Sequence, residues 1–262
     1  MKPLAAAPYR RRPTMLSKVP EITAYFWIVK VLTTAMGEST SDYLVYHMNP
    51  YLAVTLGGVA LMAALAVQFA ARRYVAWIYW VTVTMVAVFG TMAADAAHIV
   101  LGIPYTVTSA AFAIALAALF VVWYRSEGTL SIHSINTRRC EFFYWATVMA
   151  TFALGTATGD MTANTLRLGY LASGVMFALL FAVPLIGGRL LRWNGVFSFW
   201  FAYVLTRPLG ASFADWFGMP PVAGGLGINR AIVSGVLTAF IVALVAYLSL
   251  RRNDIQSEVA AD

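Results

Sequence analysis

The chain has 262 residues, 61% hydrophobic and only 11% charged, with a mean hydropathy of +0.74. A soluble domain carries about 25% charged residues, so this composition excludes an ordinary soluble fold and reads as an all-α, polytopic membrane bundle. The net charge of +7 does not read as a nucleic-acid surface, because the basic residues fall at regular places along the chain.

In chain order, Lys2, Arg10, Arg11, Arg12 and Lys18 precede a first apolar stretch at 21–44. Others follow at 51–70, 75–100, 104–124, 141–165, 168–187, 195–217 and 231–250. Each is near the roughly 20 residues that span a bilayer, which predicts eight transmembrane helices. Arg72 and Arg73, then Arg125, Arg138 and Arg139, then Arg189 and Arg192, and finally Arg251 and Arg252 fill alternate connections, so 14 of the 18 basic residues share one side. Only Arg167 and Arg230 lie on the other side, while Lys30 and Arg207 are inside spans. The positive-inside rule then places both termini in the cytoplasm. The N-terminal stretch lacks a small-residue cleavage site, so span 1 is expected to be retained. One cysteine, Cys140, excludes an internal disulfide and any multi-cysteine metal site. The polar linker Arg125–Arg139 divides the chain into halves, and the tails 1–16 and 253–262 are expected to be flexible and cytoplasmic.

The odd-numbered spans repeat one pattern: an aromatic pair ending in Trp, a Gly ten residues after the Trp, and an Asp five residues after the Gly. The copies are Phe26-Trp27…Gly37…Asp42, Tyr79-Trp80…Gly90…Asp95, Tyr144-Trp145…Gly155…Asp160 and Phe199-Trp200…Gly210…Asp215. Fixed internal spacing between variable connections marks a duplicated structural unit. The repeats run approximately over 17–73, 74–125, 140–192 and 193–252 within one membrane domain, 1–262. Each unit holds two spans, so all four enter the membrane in the same direction, as parallel two-helix repeats. Polar spans should line the interior and the plain even-numbered spans should pack outside.

Helical rise puts Trp27, Trp80, Trp145 and Trp200 near the inner interface, as anchors of an aromatic belt. Gly37, Gly90, Gly155 and Gly210 then fall near the midplane, where they permit close packing or hinge motion, and Pro208 adds a kink. The four Asp residues fall in the outer third. Three readings apply to them: carboxylates reaching headgroup water, hydrogen bonds between repeats, and an ion site or proton relay. Each span continues apolar past its Asp, and a carboxylate late in a helix opposes the macrodipole, which favours the ion site. Glu38 adds a carboxylate one turn before Asp42, and Thr91 and Thr156 occupy the equivalent place in copies 2 and 3. Lys30 and Arg207 are available as counter-ions or gates. Glu21 and Glu141, at the starts of repeat helices, read as favourable N-terminal charges. His47, His98 and His133 read as solvated side chains, and the outer loop 218–228 as a connector.

Oxygen donors of this kind suit hard cations: Mn²⁺, Mg²⁺, Ca²⁺, Na⁺ or H⁺. Met36 or Met92 would tilt the choice toward Mn²⁺. The fourfold pattern, with Lys18-Val19-Pro20-Glu21-Ile22-Thr23 leading into Tyr25-Phe26-Trp27, resembles a family of bacterial integral membrane proteins. That family is known as a tandem repeat of unknown function, or as uncharacterised membrane-anchored proteins. The resemblance implies a bacterial inner-membrane location and brings no activity. The expectation is a non-enzymatic transporter or exporter of a divalent cation, Mn²⁺ by slight preference, with proton coupling. Its metal ligands would be Asp42, Asp95, Asp160 and Asp215, with no other cofactor. Its partners would be the lipid bilayer and small cations or protons, with no nucleic acid, and an oligomer is compatible. The alternative is a non-transporting scaffold or sensor in which the Asp/Gly repeat specifies helix packing.

Overall fold

A computed structural model describes residues 17–256. Each apolar stretch forms one helix: α1 Ala24–His47, α2 Pro50–Ala70, α3 Ala76–Ile99, α4 Tyr105–Glu127, α5 Arg138–Asp160, α6 Tyr170–Leu190, α7 Gly195–Gly218 and α8 Arg230–Arg251. The ends follow local chemistry. Thr23, Asn49, Thr137, Asn194 and Asn229 accept hydrogen bonds from first-turn backbone N–H groups, satisfying donors that have no partner within the helix. Pro50 opens α2, where its missing N–H costs nothing. Gly128 ends α4 at φ 75°, a left-handed turn that a side chain would strain. Beyond Asp160 the helix widens into a π-helical turn, Met161–Thr165.

Five helices, α2, α3, α4, α6 and α8, are long and apolar enough to cross a membrane. The other three, α1, α5 and α7, are of similar length and hold much of the buried polar inventory, including Lys30, Glu38, Glu141, Thr156 and Arg207.

The repeat helices form a closed ring, α1–α3–α5–α7 and back to α1, with the plain helices outside. Each plain helix packs chiefly on the ring helix of the following copy: α2 on α3, α4 on α5, α6 on α7 and α8 on α1. The packed unit therefore differs from the expected one, since a repeat's own two helices touch only slightly. The outer helices turn Leu56, Met62, Ile114, Leu179, Val236 and Phe240 outward, a continuous apolar face suited to lipid.

Two cyclic contacts hold the ring. The first aromatic residue of each copy packs on the Trp of the next, with ring centres 5.7 Å apart for Phe26–Trp80, 5.6 Å for Tyr79–Trp145, 6.2 Å for Tyr144–Trp200 and 5.7 Å for Phe199–Trp27. Each glycine then receives the residue three places before the glycine of the next copy. Gly37 faces Ala87, Gly90 faces Phe152, Gly155 faces Arg207, and Gly210 faces Thr34. A Cβ at Gly90 would lie 2.9 Å from that of Phe152, and at the other three it would overlap the neighbour outright. The glycines are therefore contact points, and Pro208 is one too, its ring lying against Gly155 inside an uninterrupted α7.

The tryptophans differ from expectation. Trp80, Trp145 and Trp200 are buried, and only Trp27 is half-exposed. A belt anchor presents its ring to headgroups; these rings join helix to helix. The tail also differs over its described part. The Asp254 backbone oxygen accepts from Glu21 N at 2.8 Å, and its carboxylate accepts from the Tyr74 hydroxyl at 2.5 Å. Residues 253–256 are thus docked, while the tails expected at 1–16 and 257–262, and the basic cluster Lys2–Arg12, lie outside the described residues.

Candidate functional site

The site is built in layers on the ring axis. One residue past each glycine stand Glu38, Thr91, Thr156 and Ala211, all buried. Arg207, fully buried three residues before Gly210, reaches into this layer. Its Nη2 donates to Glu38 Oε2 at 2.5 Å, to Thr156 Oγ1 at 2.7 Å and to Thr91 Oγ1, while Nη1 donates to the Thr34 carbonyl at 2.8 Å. Thr91 in turn donates to Glu38 Oε2 at 3.1 Å. The two irregular copies, first and fourth, are neighbours in the ring, so the extra acid of one neutralises the extra base of the other. One guanidinium thereby ties all four ring helices together.

Lys30 behaves otherwise. It is fully buried, near no carboxylate, with Nζ 3.9 Å from the ring centre of Phe152 and 4.1 Å from that of Tyr203. Its environment is a cation–π cage and not an ion pair.

Four residues above the Glu38 layer come the repeat aspartates. Carboxylate oxygens of Glu38, Asp42 and Asp95 lie within 4.8 Å of one another. Asp215 is within electrostatic range of Glu38, Asp42, Asp160 and Asp95, which gathers the five acids at this end of the ring, the acidic vestibule. Of the four aspartates only Asp42 has a partner, Arg230 Nε at 2.9 Å, while Glu38 is held by Arg207. Among the described residues no hydrogen bond or ion pair is formed by the side chains of Asp95, Asp160 or Asp215. Arg230 opens α8, bonds Met219 Sδ at 3.2 Å, and lies over the Tyr46 ring at the rim of this vestibule. Neither methionine offers sulfur: Met36 Sδ accepts from Thr40, and Met92 packs with Ala53 and Val88. The donor set is all oxygen.

The opposite end is closed. Lys18, on the segment before α1, meets Glu141 of α5 at 2.6 Å, with both side chains buried. Gln68 also donates to Glu141, and Lys18 to the Phe69 carbonyl. Glu141 is therefore a bridging group as well as the acidic residue in the first turn of α5; Thr137 makes the cap. Trp200 Nε1 donates to the Leu130 carbonyl of the long linker at 2.9 Å. Cys140 is free, with Sγ 3.2 Å from Glu127. Of the histidines, His98 bonds the Ile103 carbonyl and stacks on Tyr105, His47 bonds the Tyr43 carbonyl, and His133 faces Glu21 at 3.5 Å. The loop 218–228 folds back by Leu226 N to Trp216 O and Ile228 N to Phe217 O.

Sequence reading found the acids, the threonines and Arg207. It missed Arg230 as the partner of Asp42, and it missed the Lys18–Glu141–Gln68 and Tyr74–Asp254 contacts. The tyrosines Tyr79 and Tyr144 carried a usable signal, being the only polar members of the four leading aromatics.

A fourfold helical ring with apolar outer helices and an acidic vestibule defines a repeat-built protein of membrane type. The family model for the Repeat of Unknown Function (DUF347) matches four times, at residues 25–74, 78–129, 143–188 and 198–254, and the chain belongs to that family. No curated protein and no solved structure matches the chain.

Proposed function

We propose that the chain is a transporter or exporter of a hard divalent cation in a bacterial inner membrane, with all eight helices spanning, both termini cytoplasmic, and proton coupling. The observation that carries this reading is the vestibule: five convergent carboxylates, three of them with oxygens within 4.8 Å of one another. Intramembrane acids are costly, and Asp95, Asp160 and Asp215, which have no partners among the described residues, ask for a cation. Asp42, Asp95 and Glu38 form the first binding step, with Asp160 and Asp215 completing the donor set. Oxygen-only coordination suits Mg²⁺, Ca²⁺ and Mn²⁺ alike, and the methionine argument for Mn²⁺ falls away because both sulfurs point elsewhere. Basic residues gather at the closed end, which supports the vestibule as the outward-facing side.

The scaffold alternative needs the aspartates to bridge repeats. The glycines and tryptophans already do that, and only Asp42 bonds another helix. The test is Asp→Asn at positions 42, 95, 160 and 215, singly and together. Purified variants are titrated with Mn²⁺ by electron paramagnetic resonance, and proteoliposomes are assayed for Mn²⁺ flux. Loss of binding and flux with intact folding supports transport. Four folded variants with wild-type binding and flux would remove the reading.

A further inference from the structure

Four residues hold one equivalent place in the four copies, the first position of each outer helix. Pro50 opens α2, Tyr105 opens α4, Tyr170 opens α6 and Arg230 opens α8. The helices they open cover the ring helices that carry Asp95, Asp160, Asp215 and Asp42, in that order. Tyr105 is within electrostatic range of Asp160 and Tyr170 within range of Asp215, while Arg230 bonds Asp42 directly. Only the fourth copy puts a charge in this place. A cation in the first turn of a helix opposes the macrodipole, so Arg230 does not serve α8. It serves the acid it meets.

Two arginines neutralise acids of the first copy, and they are held very differently. The terminal nitrogens of Arg207 reach Glu38, Thr91, Thr156 and the Thr34 carbonyl, and its side chain is 0% exposed. Arg230 makes a single bond to its carboxylate, through Nε, where a guanidinium can make two. Its one other hydrogen bond among the described residues goes to the Met219 sulfur, a weak acceptor. Its side chain is 20% exposed. Beside it a cleft of about 190 Å³ lies between Tyr46, His47, Gly218, Gly227, Ile228 and Asn229. Gly218 leaves room for its stem, since a Cβ there would lie 3.1 Å from Arg230 Cγ. One arginine is built in, and the other has somewhere to go.

We propose that Arg230 sets the charge selectivity of the vestibule, as a tethered cation that occupies Asp42 until a divalent cation displaces it into this cleft. Attraction to the acids grows with the charge of the ion. Replacing the guanidinium by Na⁺ or K⁺ leaves the charge at Asp42 unchanged, so a monovalent ion gains nothing by the exchange. A divalent ion adds one positive charge in range of Asp95, Asp160 and Asp215, which form no ion pair among the described residues. The displaced guanidinium keeps an attractive neighbour, because Tyr46, whose ring centre lies 4.9 Å from its carbon, also borders the cleft. This rests on the transport reading and names the class of ion that its site admits.

Purified wild type, Arg230→Gln and Arg230→Lys are titrated with Mn²⁺ by electron paramagnetic resonance, in choline and then in Na⁺ at the same ionic strength. The wild type should bind Mn²⁺ equally well in both. Arg230→Gln should bind it about tenfold tighter in choline, with one competing charge removed, and should lose that gain in Na⁺. Arg230→Lys should stay close to the wild type, because its ammonium keeps the tethered charge. Side-chain NMR of arginine-labelled protein in nanodiscs follows the displacement itself. The Arg230 Nε–H signal is identified by its loss in Arg230→Gln or, should that variant not fold, by its shift in Asp42→Asn. Mg²⁺, at concentrations that displace bound Mn²⁺, should move the wild-type signal away from its metal-free position, and Na⁺ should not. An Arg230 signal that Mg²⁺ leaves in place overturns the proposal, as does unchanged Mn²⁺ affinity of Arg230→Gln in choline; both results leave the transport reading standing. If neither the wild type nor Arg230→Gln binds Mn²⁺, the two readings fall together.

Discussion

The two ends of the ring place the same chemical group in opposite circumstances. At the closed end, Glu141 is held by Lys18 and Gln68 in one buried triad. In the vestibule, Asp95 has carboxylates for neighbours and no donor among the described residues. A buried carboxylate with matched donors is part of the architecture, since removing a partner strands a charge. A carboxylate crowded by others and left without donors contributes nothing to folding, and its presence points to something that binds there. The contrast separates charges that hold the fold together from charges left free for a ligand, without reference to their sequence positions.

That separation breaks or sharpens under substitution. The largest effect on stability is expected at the closed end. Lys18→Met should cost about 3–5 kcal/mol, the usual consequence of stranding one member of a buried pair, read by denaturant unfolding in detergent. A cost close to zero there would mean that the two ends do not differ in kind. Next comes the ring seam: Gly210→Ala forces a Cβ into Thr34, and overpacking of this kind costs about 1–3 kcal/mol. Gly235→Ala on α8 meets open space and serves as the control. A smaller, pH-dependent effect belongs to Asp254. Burial raises its carboxyl above the ordinary carboxylate range, and the Tyr74 hydroxyl opposes this only in part. A pKa higher in the folded state than in the unfolded one means that the contribution is full at acid pH. It is lost as pH rises through the raised value. Hydrogen exchange at the Glu21 amide, which donates to Asp254, should therefore show more protection under acid conditions once intrinsic exchange rates are factored out. Asp254→Asn should flatten that dependence. The smallest effect on stability is expected at Asp95→Asn, within about 0.5 kcal/mol, although the same variant should weaken Mn²⁺ binding. A large loss of stability at Asp95 would make the vestibule structural and erase the distinction.

Sequence alone carried most of the architecture, because it depends on two short-range signals: apolar length and the Trp–Gly–Asp spacing. All eight helices were legible, as was the placement of polar helices inside. The acids were legible too, since a carboxylate in an apolar stretch stands out residue by residue. Partners were not. Arg207 meets Glu38 across 169 residues and Lys18 meets Glu141 across 123, and no local periodicity encodes which ring helices become neighbours. The tryptophans misled for a related reason. Near a basic flank, a Trp that faces lipid and a Trp that faces the next helix have the same sequence context. The outer pairing was hidden as well, because a short connection suggests that a helix packs on its own predecessor.

The offset in that pairing has a consequence for how the chain is assembled. α2 meets its main partner as soon as α3 follows it, and the same is true of α4 with α5 and α6 with α7. The exception is α1, whose covering helix is α8 and whose second ring neighbour is α7. During synthesis the first helix, with Lys30 and Glu38 on it, must therefore wait through five others for Arg207 to arrive and through six for its covering helix α8. On that order the contact of the last helix with the first forms last, and until then the ring is an open arc with the helix that carries Lys30, Glu38 and Asp42 at one edge.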